Sequence, residues 1–162
     1  MAHSIVENKL FKQILTSAKT IAMVGVSSIK KVETSAVVRR RPSIIVMKYL
    51  QEFGYRVIPV NPSSAGKKIS GEIAVAKLED IDTSVDVVNV FRPSKEAPIF
   101  AEQTVMIGAK VLWLQFGIQN QEAQEIAKSA NITYIANRCI KQEYQRLFLK
   151  INPVFPALLQ TD

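Results

Sequence analysis

Three short segments end hydrophobic runs at points where a buried parallel strand would stop. They are IPVNP at residues 58–62, VFRP at residues 90–93 and WLQFG at residues 113–117. In an open α/β sheet, ligands bind beyond the carboxyl ends of the strands, so these segments hold the candidates for chemistry. None of the three supplies a nucleophile together with its general base. The pattern therefore favours a protein that holds a ligand over one that transforms it.

Histidine and cysteine are nearly absent from the chain. The one histidine, His3, lies close to the N-terminus, so we expect neither a Ser–His–Asp nor a Cys–His catalytic device. The one cysteine, Cys139, excludes an internal disulfide and a paired-cysteine metal site. The sequence thus predicts no catalytic residues and no metal ligands, and a single cysteine suits a reducing, cytoplasmic compartment. No basic-then-apolar secretory signal is visible, and no run approaches the ~20 apolar residues of a membrane span.

Positive charge is concentrated in one part of the chain. Residues 30–41 contain five basic side chains and one acidic one, a net charge of +4 within a formal total of +7. If these side chains converge, they imply a polyanionic partner. The alternative is a solvated basic loop, and charge alone does not separate the two.

Short runs rich in valine and isoleucine predict five buried strands, at residues 20–26, 56–60, 85–91, 110–114 and 132–135. Apolar residues at helical spacing predict helices before, between and after these strands, at residues 7–17, 42–53, 95–107, 120–130 and 141–149. A short helix is predicted at residues 76–80. This alternation predicts a Rossmann-like three-layer α/β sandwich, with a five-stranded parallel sheet of order 3-2-1-4-5 and helices on both faces. We expect a helical lead-in at residues 1–18, one domain at 19–150 and a tail at 151–162.

In that strand order, the loops after the first and fourth strands flank a crevice. The first of these loops is VGVSS at residues 24–28, where Gly25, Ser27 and Ser28 would let backbone N–H groups approach a phosphate. No GxGxxG motif is present, and Gly25 could equally serve as a tight strand exit.

The second strand ends without an acidic residue. Dinucleotide-binding domains use Asp or Glu there to hold an unmodified ribose, whereas this chain has Asn61 and Pro62. The uncharged end disfavours a bare ribose and tolerates an adenosine that carries a ribose phosphate.

Six motifs in order carry a family resemblance: GVS at 25–27, RPS at 41–43, GYRVIPVNP at 54–62, VFR at 90–92, WLQFG at 113–117 and RCIKQE at 138–143. Over about residues 19–149 the chain resembles the small stand-alone CoA-binding proteins, whose domain is related to the N-terminal domain of the succinyl-CoA ligase α subunit. The resemblance implies a Rossmann-type domain that binds CoA or an acyl-CoA at the strand carboxyl ends.

The resemblance also implies which residues contact the ligand: Gly25, Ser27, Ser28, Arg41, Ser43, Val60, Asn61, Pro62, Phe91, Arg92, Trp113, Gln115 and Gly117. The first two motifs would meet the phosphates and residues 60–62 the adenosine. Residues 91–92 would lie beneath the nucleotide, and residues 113–117 would form the opposite wall. The chain departs from the family by extra residues at about 31–40, which we interpret as a basic lid, and by Ile140 in place of proline.

Three functions stay open at this point. The leading one is non-catalytic binding of CoA or an acyl-CoA, a small phosphorylated nucleotide. The alternatives are an NADP-dependent or CoA-transfer enzyme and, with less support because no nucleic-acid-binding signature is present, a basic nucleic-acid-binding protein. No membrane partner is expected, and a homodimer through the lead-in helix and the tail remains open.

Overall fold

Five parallel strands form the central sheet in the computed structural model of the protein, which describes residues 4–26 and 42–151. The strands, with a short hairpin formed by the third and fourth, are β1 (Thr20–Val24), β2 (Arg56–Val60), β3 (Lys68–Ile69), β4 (Glu72–Ile73), β5 (Val87–Val90), β6 (Val111–Leu114) and β7 (Thr133–Ile135). The helices are α1 (Ile5–Ser17), α2 (Pro42–Glu52), α3 (Ala97–Met106), α4 (Gln121–Ser129) and α5 (Ile140–Tyr144), and a π-helical turn, Gln145–Leu149, continues α5.

The strands of the sheet follow the order β2-β1-β5-β6-β7, and every neighbouring pair is parallel. Outside β2, one parallel bridge joins Val60 to Val75 and stands in the place of a further strand. If the sheet positions are numbered along the chain, with the Val75 bridge as the third, the order across the sheet is 3-2-1-4-5-6. β5 is then the fourth position and β7 the sixth, at the far edge. The predicted fold class is therefore confirmed. Among the five predicted strands, however, the third, at residues 85–91, lies beside the first as β5, where the fourth was expected, because the position outside β2 is taken by the bridge alone.

Helices cover both faces of the sheet because the strands are apolar on both sides. One face packs against α1, α2 and α5, and its core contains Trp113, Met23 and Met47. The other face packs against α3 and α4 through small residues such as Ala101 and Ala123, which let these helices approach closely. The lead-in helix α1 belongs to the first layer, where its Phe11 ring lies 5.2 Å from that of Trp113.

Two local differences from the predicted elements lie around the sheet. The predicted helix at 76–80 is a single 3-10 turn, Leu78–Asp80. The β3–β4 hairpin was not predicted, because its strands have only two residues each. It contacts the open edge of β2, where Arg56 forms a forked ion pair with Glu72 at 3.0 and 3.2 Å.

Candidate functional site

A cavity of about 560 Å³ opens at the carboxyl ends of β1 and β2, beside the loop that follows β5. Its walls are Val24, Gly25, Val60, Asn61, Pro62, Ser63, Ala76, Lys77, Arg92, Glu96, Phe100 and Gln103. Because β1 lies between β2 and β5, the cavity lies where the strand order reverses, which is where ligands bind in sheets of this kind. Its volume is in the usual range of roughly 300–1,000 Å³ for small-molecule sites.

Gly25 brings the chain after β1 into close contact with the end of β5. Its φ of +99° lies in the region that side chains disfavour, and its N–H donates to the carbonyl of Val60 at 2.8 Å. A Cβ at this position would lie 3.1 Å from Cδ of Arg92 and 3.3 Å from the carbonyl carbon of Phe91. A side chain here would therefore be strained and would crowd the end of β5, so glycine suits this approach and leaves the backbone at the cavity wall without a side chain.

Asn61 occupies the end of β2. Its N–H donates to the carbonyl of Val75 at 2.8 Å, and its Oδ1 accepts hydrogen bonds from the N–H and the hydroxyl of Ser63 at 3.0 and 2.9 Å. These bonds cap the 3-10 turn Pro62–Ser64. Because they use the acceptor oxygen, the Nδ2 donor of Asn61 takes no part in the cap. The position where an acid would accept from a ribose thus presents a neutral amide.

Arg92 points into the cavity and is paired there with Glu96. Its Nε and Nη2 donate to the two carboxylate oxygens at 3.0 and 2.9 Å, a forked arrangement between residues four apart in the sequence. The hydrogen bond with Glu96 raises the pKa of Arg92, and the same bond lowers the pKa of Glu96. Both groups are therefore charged at neutral pH. Sequence reasoning missed Glu96, although its spacing of four residues from Arg92 was a visible signal for this pair.

Lys77 is a second basic side chain in the cavity wall that sequence reasoning missed. It follows the Val75 bridge, so it reaches the cavity from beyond β2. The sequence around it holds no motif that could have identified it, because its place depends on a single long-range bridge.

Two residues predicted to form the opposite wall lie inside the protein instead. Trp113 has no exposed surface, and its Nε1 donates to the carbonyl of Arg138 at 2.8 Å. Gln115 is 5% exposed, and its Oε1 accepts from Nδ2 of Asn89 and from the N–H of Ile140, each at 3.0 Å. The structure therefore places both in the packing between the sheet and α5 and does not bring them to the cavity.

The remaining predicted residues divide by position. Phe91 packs against the core under α1, α2 and α5, and Ser43 is buried in the first turn of α2. The N–H of Gly117 donates to Oδ1 of Asn137 at 2.7 Å, in the loop after β6. Ser27, Ser28, Arg41 and the basic insertion at 31–40 lie outside the described residues. Ligand contacts by these residues stay predictions.

Residues 4–26 and 42–151 lack both a metal-binding cluster and a membrane-spanning helix. This part of the chain contains no group of three or more His, Cys, Asp or Glu side chains placed to hold a metal ion. Nor does any helix in it have the length and apolar character needed to cross a membrane.

Comparison with known proteins agrees with the resemblance seen in the motifs. A family model described as "CoA binding domain" matches residues 19–145. The uncharacterized protein YneT of Bacillus subtilis (strain 168) is 39% identical over 130 residues, which cover 80% of this chain and 88% of that protein. A solved structure from Thermus thermophilus, cell-free ID.343, is 37% identical with a TM-score of 0.77 and covers 87% of this chain and 98% of its own. A hypothetical protein from Pyrococcus horikoshii OT3 is 36% identical with a TM-score of 0.78, covering 91% and 97%. The chain therefore belongs to the CoA-binding domain family.

Proposed function

We propose that the protein binds CoA or an acyl-CoA in the cavity at the ends of β1, β2 and β5, and that it does not itself transform the ligand. The observation that carries this proposal is the close approach of Gly25 and Arg92, which combines backbone without a side chain and a guanidinium at the point of strand reversal. Family membership supports the same ligand. A cytoplasmic location is part of the proposal and rests on the single cysteine of the sequence.

The chemistry of the cavity wall fits the parts of CoA. A guanidinium can donate paired hydrogen bonds to phosphate oxygens, and CoA carries a diphosphate and a ribose phosphate. Val24, Val60 and Phe100 give the cavity apolar surface that an adenine ring can cover. Asn61 at the end of β2 suits a phosphorylated ribose, since no carboxylate there would repel the phosphate.

The described part of the cavity wall holds no pair of groups suited to acid–base or nucleophilic chemistry. Glu96 is its one carboxylate, and the forked bond from Arg92 lowers the pKa of that group, which makes it a weak base. The hydroxyl of Ser63 donates to Oδ1 of Asn61, so no general base activates it. These contacts support a binding role.

Calorimetric titration of the purified, nucleotide-stripped protein with CoA, acetyl-CoA, NAD, NADP and ATP tests the proposal. We expect CoA or acetyl-CoA to bind most tightly. Absence of heat with CoA at about 1 mM would overturn the proposal, because even a weak site of about −4 kcal/mol is half filled there. Tighter binding of NADP, with turnover of its reduced form on added substrates, would instead favour the enzyme alternative.

A further inference from the structure

Lys77 differs from Arg92 in how strongly it is already paired. The guanidinium of Arg92 donates two hydrogen bonds to the carboxylate of Glu96, at 3.0 and 2.9 Å. Within residues 4–26 and 42–151, the ammonium of Lys77 pairs only with Glu79, whose carboxylate oxygen lies 3.9 Å away, and the Lys77 side chain is 58% exposed. Exposed pairs at such distances contribute little free energy. Of the two cations in the cavity wall, Lys77 is therefore the less strongly paired within the protein and the more available to an anionic ligand.

The two cations also lie at different ends of the cavity. Arg92 lies beside Gly25, next to the turn that follows β1. Lys77 comes two residues after Val75, which pairs with Val60 and accepts a hydrogen bond from the N–H of Asn61. In sheets of this order, the turn after the first strand meets the diphosphate and the end of the second strand meets the adenosine ribose. Lys77 is thus the cation on the side of the cavity where the adenosine ribose is expected.

We propose that Lys77 is a specificity residue that binds the ribose phosphate of the ligand, so that the protein prefers CoA to the same molecule without that phosphate. This inference rests on the proposed function, because it assumes that the adenosine lies at the end of β2. Three features support it together. The neutral amide of Asn61 stands where an acid would repel a phosphate, the weakly paired ammonium of Lys77 belongs to the wall of the same cavity, and Arg92 is separately paired with Glu96.

The experiment compares CoA with CoA that lacks the ribose 3′-phosphate, in calorimetric titrations of the full chain. Lys77→Gln removes the charge and keeps a polar side chain, while Lys77→Arg keeps the charge. Lys67→Gln is the matched control, because Lys67 is an exposed lysine on the neighbouring loop that does not line the cavity. Thermal unfolding of each variant checks that the substitutions leave the fold intact.

One charge-assisted contact of about 1.4 kcal/mol corresponds to about a tenfold preference, so wild type should bind CoA about tenfold more tightly than the truncated ligand. Lys77→Gln should lose this preference by weakening CoA alone, and Lys77→Arg and Lys67→Gln should keep it. Equal affinities of wild type for both ligands, or an equal loss for both in Lys77→Gln, would overturn the inference and leave CoA binding intact. If wild type binds neither ligand, the proposed function itself fails, and the inference with it.

Discussion

Arg92 and Glu96 meet inside the cavity, where the guanidinium donates from Nε and Nη2 to both carboxylate oxygens at 3.0 and 2.9 Å. The pair spans the turn from the end of β5 to the start of α3. It holds the Arg92 side chain against Gly25, whose missing Cβ leaves room for Cδ of Arg92. These contacts orient the guanidinium. The cost of this arrangement is a negative charge beside a cavity that we expect to receive phosphates.

Removing that negative charge should strengthen CoA binding. We expect Glu96→Gln to increase affinity by about 0.5–1 kcal/mol, a severalfold change, because a carboxylate near a phosphate repels it through partly screened solvent. The amide keeps one oxygen to accept from Arg92. Calorimetric titration with CoA measures the change, and Glu102→Gln, an exposed acid of α3 outside this cavity, is the control. Weaker binding by Glu96→Gln would contradict the prediction and assign Glu96 mainly to holding Arg92 in place.

Removing the guanidinium should have the opposite effect. We expect Arg92→Ala to weaken CoA binding by about 1.5–3 kcal/mol, the range for hydrogen bonds to charged groups. Part of this loss would come from the unpaired carboxylate that remains, so the double variant Arg92→Ala/Glu96→Gln should bind more tightly than Arg92→Ala. The two titrations separate attraction by Arg92 from repulsion by Glu96. Wild-type affinity in Arg92→Ala would show that the ligand does not use this side chain.

A methyl group at position 25 should disturb both the fold and the site. Gly25 and Gly66 have positive φ values of +99° and +84°, so alanine costs about 1–2 kcal/mol of backbone strain at either position. A Cβ at Gly66 meets no atom within 4 Å, whereas one at Gly25 crowds Arg92 and Phe91 at 3.1–3.3 Å. Gly25→Ala should therefore lower the free energy of unfolding by about 1 kcal/mol or more beyond Gly66→Ala.

Chemical denaturation measures the free energy of unfolding of the two glycine variants, and calorimetric titration measures their affinity for CoA. Gly25→Ala should also weaken CoA binding, because the shifted Arg92 no longer meets the ligand as before, while Gly66→Ala should bind normally. An equal loss of stability in both variants, with CoA binding unchanged in both, is the result that contradicts a close approach at Gly25.

The strands of the sheet could be predicted from the sequence because they are short apolar runs separated by helical segments. Each run is recognised from residues that are neighbours in the chain. The same local segments located Gly25, Asn61 and Arg92, all of which line the cavity. The bridge outside β2 was not predicted. It consists of one residue pair, Val60 and Val75, and a single pair leaves no periodic pattern in the sequence.

The direction of side chains at the strand ends could not be predicted in the same way. A strand buried on both faces is apolar at every position, so its pattern does not show which residues face the ligand and which face a helix. Trp113 and Gln115 were predicted at the site, but they face the layer formed by α1 and α5. Lys77 and Glu96 were missed because long-range pairing and a helical turn bring them to the cavity.

The buried position of Gln115 leads to a prediction about stability. Its Oε1 joins the middle of β5, through Nδ2 of Asn89, to the first turn of α5, through the N–H of Ile140. Gln115→Ala should leave both donors without this acceptor and lower the free energy of unfolding by about 1–3 kcal/mol or more. CoA affinity, measured where the variant is still folded, should stay near the wild-type value. A variant of normal stability that binds CoA poorly would instead place Gln115 in contact with the ligand.

Tyr55 predicts how stability changes at alkaline pH. It is buried at the start of β2, and its hydroxyl donates to the carbonyl of Leu15 near the end of α1. Burial, with a smaller contribution from Tyr144, raises the pKa of Tyr55 from 10.0 to about 12. Because the folded pKa is the higher one, the folded state retains the proton longer than the unfolded state. This contribution is complete below pH 10.0 and is lost as the pH rises to about 12.

Denaturant unfolding across this pH window, compared between wild type and Tyr55→Phe, measures the effect. At about pH 8 the variant should be less stable by about 1 kcal/mol, because the hydrogen bond to Leu15 is gone. Wild type alone should then lose about 2–3 kcal/mol from Tyr55 as the pH approaches 12, so the gap should close or reverse. Tyr134→Phe removes another tyrosine hydroxyl, one bonded to the carbonyl of Asn120, and serves as the control. A gap between wild type and Tyr55→Phe that stays constant over the whole window would mean that Tyr55 ionises equally in the folded and unfolded chains.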